Sequence, residues 1–532
     1  MQIRAPLSIA HSLAVLAFIA SLLSGLRIAS EHRSLWLADW LPQGAAHGWH
    51  IVAALAWLGL TAAYVWLRLQ SPAPSAARKT TQTSRSRVLI RINHVLLLAL
   101  LLSGVALYLG SPWLAQPLIA SLHYLCAWLL LAVVLGHLLE QWWRGGWPRW
   151  RSMLLPSWQL MQRAGRLWWQ FSFVVVAALL CWLLAPLWLQ QTLPVHQLGS
   201  NDHIELDGLA NDAAWQHATE ITVATRLYVN EQGREIPVSV RALHNGQTAF
   251  FLLRWPDSTR SGMHLPLEKT EAGWRVMQTG FAQSDETQYY EDKLALMLTD
   301  SNAIAGALTA HLGNSPWFDR RGNGHARGVH ASSDGDIVDV WHWKSVRNAG
   351  TNQLDDSHFG PPGTPLPMER RYTAGYHADP RESGGHRENW EWFTADHVTP
   401  KRLPKSPNIL QPFNDSTRSQ ADVAQIDWGL YWHDTEPYQP ENDHYPVGTR
   451  MPSVLWKSSV EGDRGDVRAA AHWQDGYWQL ELARGLRAQS EFDRDIADGM
   501  YMWIAVFDHT QTRHSYHLRP LRLHWINDEP TS

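Results

Sequence analysis

Two histidines fourteen residues apart, His123 and His137, share one apolar stretch of the chain. On a helix that separation returns to nearly the same face, about 21 Å further along the axis. Imidazole is a common metal ligand and a usual axial ligand of haem iron. The spacing therefore suits two irons stacked across a membrane, one near each surface. Each iron needs a second axial ligand from another helix. His11, His50, His47 (nearly one turn before His50) and His94 lie in or beside the neighbouring apolar stretches. A lone membrane histidine can merely hydrogen-bond a neighbouring helix, but ionisable groups in a bilayer are costly and functional by default.

The elements that would carry these residues follow from length and hydropathy. Five stretches, residues 6–28, 49–67, 88–109, 118–139 and 168–189, are long and apolar enough for a bilayer core of roughly 30 Å. The first resembles a signal peptide, with Arg4 ahead of an apolar run, but its His11 argues for an uncleaved helix. Arg68, Arg78, Lys79, Arg85, Arg87 and Arg91 lie at or between the ends of the second and third stretches. Arg144, Arg149, Arg151, Arg163 and Arg166 lie between the fourth and fifth. The positive-inside rule puts both basic loops and the N-terminus in the cytoplasm of a bacterial inner membrane. Five crossings then deliver the C-terminal part to the periplasm. In this topology His11 is level with His137 and His50 with His123, while His94 is a structural donor, an alternative ligand or part of a quinone site.

Composition agrees with this division. Residues 1–190 hold 14 Lys and Arg against 3 Asp and Glu, so a whole-chain charge of −4 leaves −15 on the remainder. Thirty-one tryptophans are many, and Trp36, Trp40, Trp142, Trp143, Trp147 and Trp150 flank apolar runs as interfacial belts do. The only cysteines, Cys126 and Cys181, both lie in apolar stretches. They exclude a disulfide framework, a zinc cluster and a Cys-x-x-Cys-His attachment site, so any haem is held without a covalent link.

A histidine early in the first helix, one early in the second and two fourteen apart in the fourth resemble the membrane cytochrome b subunits of formate dehydrogenase and nickel-iron hydrogenase. The resemblance covers about residues 1–143 and implies a four-helix bundle with two b haems that carry electrons to or from quinone. Residues 144–198 then read as a basic cytoplasmic loop, a fifth tethering helix and a linker.

From residue 199 to 532 the texture changes to short alternating runs, among them 221–228, 238–243, 249–255, 293–298, 478–482 and 501–507. Such runs, separated by Gly, Pro, Asn and Asp, predict an antiparallel β-sandwich. Residues 314–335 and 354–412 read as long loops decorating one end. The pieces Ile204-Glu-Leu-Asp-Gly208 with Trp215, Leu253-Arg-Trp-Pro-Asp257, Glu291-Asp-Lys-Leu-Ala295 and Asp339-Val-Trp-His-Trp-Lys344 come in that order. Asp463-Arg-Gly-Asp-Val467, Trp478-Gln-Leu-Glu-Leu482 and Ala505-Val-Phe-Asp508 follow. Together they resemble the haem-binding domain of the ethylbenzene dehydrogenase gamma subunit, related in fold to family-nine carbohydrate-binding modules.

That family holds one b haem between two axial side chains, a methionine and a lysine in its type member. The resemblance places the first ligand at His311 and the second at His514 or His517, with His514 preferred and Met263 as an outside candidate. Trp341 and Trp343 read as core or pocket walls, and Lys344 as a surface or propionate-pairing charge. Asp355–Asp356 and Asp493–Asp495 read as solvated surface or a docking face for a basic cytochrome.

The chain is thus expected to be an α + β multidomain protein: a transmembrane cytochrome b bundle, a tethering helix and a periplasmic β-sandwich. Three b haems would carry electrons between the quinone pool and a periplasmic cytochrome or oxidoreductase subunit. Bis-histidine ligation leaves no position open for substrate. No molybdenum, flavin or iron–sulfur motif is present, so a substrate-converting catalyst would be a separate subunit. Lipid is a partner and nucleic acid is not. The competing readings are a tethered carbohydrate or small-ligand receptor without haem in its sandwich, and a transporter or anchor with incidental histidines.

Overall fold

The computed structural model describes residues 4–29, 41, 46–69, 84–109, 116–154, 189–199, 201–226, 235–278, 288–300, 337–360, 375–394, 397–511, 514–517 and 519–526. The expected fifth helix (168–189), the expected loop 314–335 and His311 lie outside them. The chain divides into two compact units that meet in sequence at Gln190 and Gln191.

Among the described residues the N-terminal unit has four long helices: α1 (Arg4–Ala29), α2 (Ala46–Leu69), α3 (Ser84–Leu109) and α4 (Gln116–Leu154). Each contains a span long and apolar enough to cross a membrane: Ile9–Ala29, His47–Leu69, Ile92–Leu109 and Leu118–Trp143. α1 packs on α2, α3 on α4, and α1 also touches α4. Large apolar side chains such as Leu16, Leu102 and Leu118 point outward, as lipid-facing positions do. Inside, Leu96 and Leu100 of α3 meet Cys126 and Leu130 of α4, with Phe18 of α1 and Trp57 of α2 packed against them. α4 continues past the expected end at residue 139 and turns at Gly146 (φ 56°, ψ −156°), a left-handed conformation suited to glycine. At the end of the apolar span Trp142 and Trp143, and just beyond it Trp147, are exposed, as interfacial anchors are.

The C-terminal unit is a sandwich of twelve strands. They are β1 (Gln191–Gln197), β2 (Ile221–Arg226), β3 (Glu235–His244), β4 (Thr248–Pro256), β5 (Lys293–Thr299) and β6 (Val338–Lys344). There follow β7 (Asp355–Phe359), β8 (Tyr376–Ala378), β9 (Arg468–Gln474), β10 (Tyr477–Gly485), β11 (Tyr501–Phe507) and β12 (Leu521–Ile526). Their order is β8-β7-β6-β5-β11-β12-β1-β3-β4-β10-β9, with β2 beside β3. All pairings are antiparallel except at β1, which runs parallel to both β12 and β3 and joins the two halves. The halves fold face to face: Phe251 of β4 meets Trp341 of β6, and Trp255 of β4 meets Trp343 of β6, at ring-centroid distances of 5.8 and 5.9 Å. Alternate inward residues such as Val238, Val240 and Ala242 are fully buried, the period-two pattern of a half-buried strand. Each such valine contributes on the order of 1.5–3 kcal/mol of burial energy.

The Ile204–Gly208 motif works through backbone. The Glu481 carboxylate accepts from Gly208 N at 2.8 Å and from Trp215 Nε1 at 2.9 Å. Gly208 has φ +81°, and a Cβ there would lie 2.6 Å from the Ala471 carbonyl carbon, so only glycine fits.

Between β4 and β5, and again between β8 and β9, the chain leaves the sandwich, and the two excursions build a second core. The hairpin Leu267–Thr270 and Gly273–Val276 pairs with His397–Pro400 on one side and Arg450–Met451 on the other. Trp274, Trp390, Trp428 and Phe413 pack in this core. The expectation that residues 354–412 form a loop is therefore corrected: they contain β7, β8 and the strands Ser383–Glu388, Trp390–Thr394, His397–Pro400 and Arg402–Pro404.

Candidate functional site

His50 of α2 and His123 of α4 face each other, ring centroids 6.2 Å apart and planes at 85°. A metal bonded at about 2 Å to one nitrogen of each ring would put two trans imidazole centroids roughly 6 Å apart. The protons can be assigned. His50 Nδ1 lies 2.9 Å from the Ser21 carbonyl, which only accepts, so Nδ1 carries the proton. Ser103 Oγ donates its single proton to the Ala99 carbonyl at 2.6 Å, so at 2.8 Å it must accept from His123 Nδ1. Both rings therefore keep the Nε2 lone pair for a metal, the arrangement ligand histidines show when the other nitrogen is anchored.

Room for these rings comes from glycine. A Cβ on Gly25 of α1 would lie 2.9 Å from His50 Cε1, and one on Gly104 of α3 would lie 3.3 Å from His123 Cε1. Both glycines end the tetrapeptide Leu-Leu-Ser-Gly, at residues 22–25 and 101–104. Ser24 Oγ stands 3.4 Å from His50 Nδ1 as Ser103 does beside His123. The repeated Leu-Leu-Ser-Gly is visible in the sequence, but only helix packing shows it to be a cradle for the histidines. Gly25→Val is expected to displace His50 and lower bound haem by one per chain in a pyridine-haemochrome assay. Wild-type haem content in that variant would contradict the cradle.

His11 of α1 lies within electrostatic reach of His137 of α4. Its Nδ1 is enclosed without a hydrogen-bond partner, a buried polar atom that a ligand would satisfy. Its ring is 5.9 Å from that of Tyr64. His47 precedes His50 on α2, and His94 lies on the exposed side of α3.

In the C-terminal unit His514 stands 4.9 Å from the Phe507 ring, with Nδ1 3.2 Å from the Ser515 carbonyl. Burial, partly offset by that carbonyl, brings its pKa down to about 4, which leaves the imidazole neutral. His342, not singled out from sequence, stacks on the same Phe507 ring at 5.4 Å, and its Nε2 is enclosed without a partner. Met263 is packed in the second core.

His517 differs from His514. Its Nε2 accepts from Ile504 N at 2.8 Å and its Nδ1 donates to the Arg519 carbonyl at 2.5 Å, so neither nitrogen is left for a metal. Burial, partly offset by the Arg519 carbonyl, lowers its pKa to about 4 from 6.5. Between those values the unfolded chain binds the proton and the folded chain does not, so stability falls as pH drops. The C-terminal unit is expected to melt at lower temperature at about pH 5 than at about pH 7.5, with His517→Gln flattening the dependence. Equal slopes in both proteins would contradict this role.

Two charge readings need correction. Lys344 is not a surface charge: it is buried and paired with Asp355, which also takes Arg464 at 2.8 Å. Asp355, Asp356 and Asp493 are buried rather than solvated, although Asp495 is exposed and paired with Arg487. Every residue of β7 is buried, so both of its faces are covered, and these charges pair across segments distant in sequence.

Four membrane-length helices and a β-rich unit, with facing histidines in the bundle, define a membrane-anchored cytochrome b-like electron-transfer protein. Residues 212–519 match the family model described as ethylbenzene dehydrogenase, more than half of the chain, and residues 2–156 match prokaryotic cytochrome b561. The chain belongs to the ethylbenzene dehydrogenase family, and its N-terminal part is similar to prokaryotic cytochrome b561. No curated protein matches it. Among solved structures, a carbohydrate-binding protein from Bacteroides uniformis is 8% identical, with 64% of this chain and 94% of that one covered at a TM-score of 0.24. A family-nine carbohydrate-binding module from Caldicellulosiruptor kristjanssonii, in complex with glucose, is also 8% identical, covering 64% and 100% at 0.23. Likeness this slight carries no argument about function.

Proposed function

We propose that this chain is a membrane b-type cytochrome passing electrons between the quinone pool and a periplasmic redox partner. The observation that carries the reading is the His50–His123 pair: imidazoles from different helices, each with Nδ1 anchored, at a centroid distance of 6.2 Å. These two residues would hold one haem b near the periplasmic surface, and His11 with His137 a second near the cytoplasmic surface. His514 would hold a third in the C-terminal unit, opposite His311 or His342. When bound, such a haem takes up and releases single electrons.

The chain's own residues supply position and environment. Ser21 and Ser103 fix ring tautomer and orientation, which strengthens imidazole as a ligand. Gly25 and Gly104 keep helix surfaces low enough for the rings to stand between them. The apolar helices keep water from the pair. The basic segments flanking the helices put the N-terminus in the cytoplasm and the C-terminal unit in the periplasm, facing a cytochrome or oxidoreductase subunit. Quinone would exchange electrons at one membrane surface.

Proteoliposomes of the purified protein test this directly. A quinol should reduce the b-type absorbance bands, and an added periplasmic acceptor should reoxidise them. Bands that dithionite reduces but quinol leaves unchanged would remove quinone from the account.

A further inference from the structure

At one end of the sandwich, acidic side chains from five separate segments converge in the interior. Asp339 comes from β6, Asp356 from β7 and Asp379 from the residue after β8. Asp463 opens the 3-10 turn Asp463–Gly465, and Asp493 lies between β10 and β11. Asp339 and Asp356 are 0% exposed, Asp379 2% and Asp493 5%. One oxygen each from Asp379, Asp463 and Asp493 lie within 4.8 Å of one another, and so do oxygens of Asp339, Asp356 and Asp493.

Among the described residues, cations cover only part of this cluster. Buried Arg484 engages Asp339 and reaches Asp466 at 3.1 Å and Asp493 Oδ2 at 3.4 Å, which fills the Asp339 side. His358 takes Asp379 Oδ1. On the other side, Asp379 Oδ2, Asp463 Oδ2 and Asp493 Oδ1 are enclosed with no hydrogen-bond partner among the described residues. Buried polar atoms are almost always satisfied, and each lone orphan costs stability. Three side chains that bring carboxylate oxygens within 4.8 Å of one another, each with an orphaned oxygen, require either protons or a cation.

We propose that a calcium ion binds between Asp379, Asp463 and Asp493. Oxygen-only donors that include several carboxylates match the hard-cation preference. Donors from separated turns and loops give the adaptable geometry that calcium accepts, whereas magnesium demands a near-ideal octahedron and keeps most of its waters. Zinc favours nitrogen and sulfur donors, and His358 already spends Nδ1 on Asp379. The ion would tie the β7–β8 edge to the loops that follow Asp463 and precede β11.

The experiment uses the full-length protein in detergent, purified without chelator and analysed for metals, then stripped with EGTA and melted with and without calcium chloride. Wild type is expected to carry calcium, and its melting temperature to fall on stripping and recover with calcium. Asp463→Asn, at the half-buried rim where folding tolerates the change, and Asp379→Asn should weaken calcium binding at least about tenfold, as losing one charged ligand tunes such sites. The proposal is overturned if stripped wild type melts identically with and without calcium. It is equally overturned if Asp463→Asn binds calcium as wild type does, or if only magnesium or zinc restores stability.

Discussion

Replacing His123 by alanine is expected to remove one b haem from each chain and to stop quinol-driven reduction of a periplasmic acceptor. The proton of His123 sits on Nδ1, because Ser103 has already given its own proton to Ala99. Removing the ring takes away a ligand atom, so the loss should exceed the roughly 10–100-fold that removal of a ligand's hydrogen-bond partner costs. Ser103→Ala gives the graded comparison: the ring stays, its anchor goes, and haem affinity should fall by about 10–100-fold. Haem titration of the two purified variants checks the order. If His123→Ala keeps wild-type haem and wild-type quinol turnover, the pair is structural.

The second large effect is on stability. Glu291→Ala is expected to destabilise the C-terminal unit by about 3–5 kcal/mol, the cost of leaving a buried charge without its partner. Glu291 is fully buried, accepts from the backbone N–H groups of Val346 and Arg347 at 2.8 and 2.9 Å, and holds the Arg347 guanidinium. His264 stands 3.1 Å away. Burial alone would raise the Glu291 pKa, but Arg347 and His264 together hold it well below the usual carboxylate range. Its contribution is therefore present above the unfolded-chain value and lost only as pH falls through the lower folded value. Urea unfolding followed by tryptophan fluorescence measures the difference. A change below about 1 kcal/mol would mean that water reaches Arg347 in the variant.

Much of this architecture was legible because membrane helices and sandwich strands write regular patterns. Residues 501–507 were readable as a strand to the residue, since Tyr501–Phe507 is a short apolar run whose Met502, Ile504 and Val506 face the main core while Trp503 packs in a smaller cluster. The second core was not readable. The strands paired there are two to five residues long, and hairpin 267–276 finds its partners at 397–400 and 450–451. Nothing local marks such pairing. The facing of His50 and His123 was inferable from helix depth, but the Ser–Gly cradles needed helix packing to acquire meaning. The buried charges misled for a related reason: Lys344, Asp355 and Asp493 look like surface residues until their partners, far along the chain, are in place.

The most direct measurement is haem per chain, by pyridine haemochrome on the purified full-length protein and on its His123→Ala and His514→Ala variants. The account predicts three b haems in the wild type and two in each variant, with different absorbance components missing. Two haems in wild type with His514→Ala unchanged would remove haem from the C-terminal unit. No haem in the wild type would contradict the account as a whole.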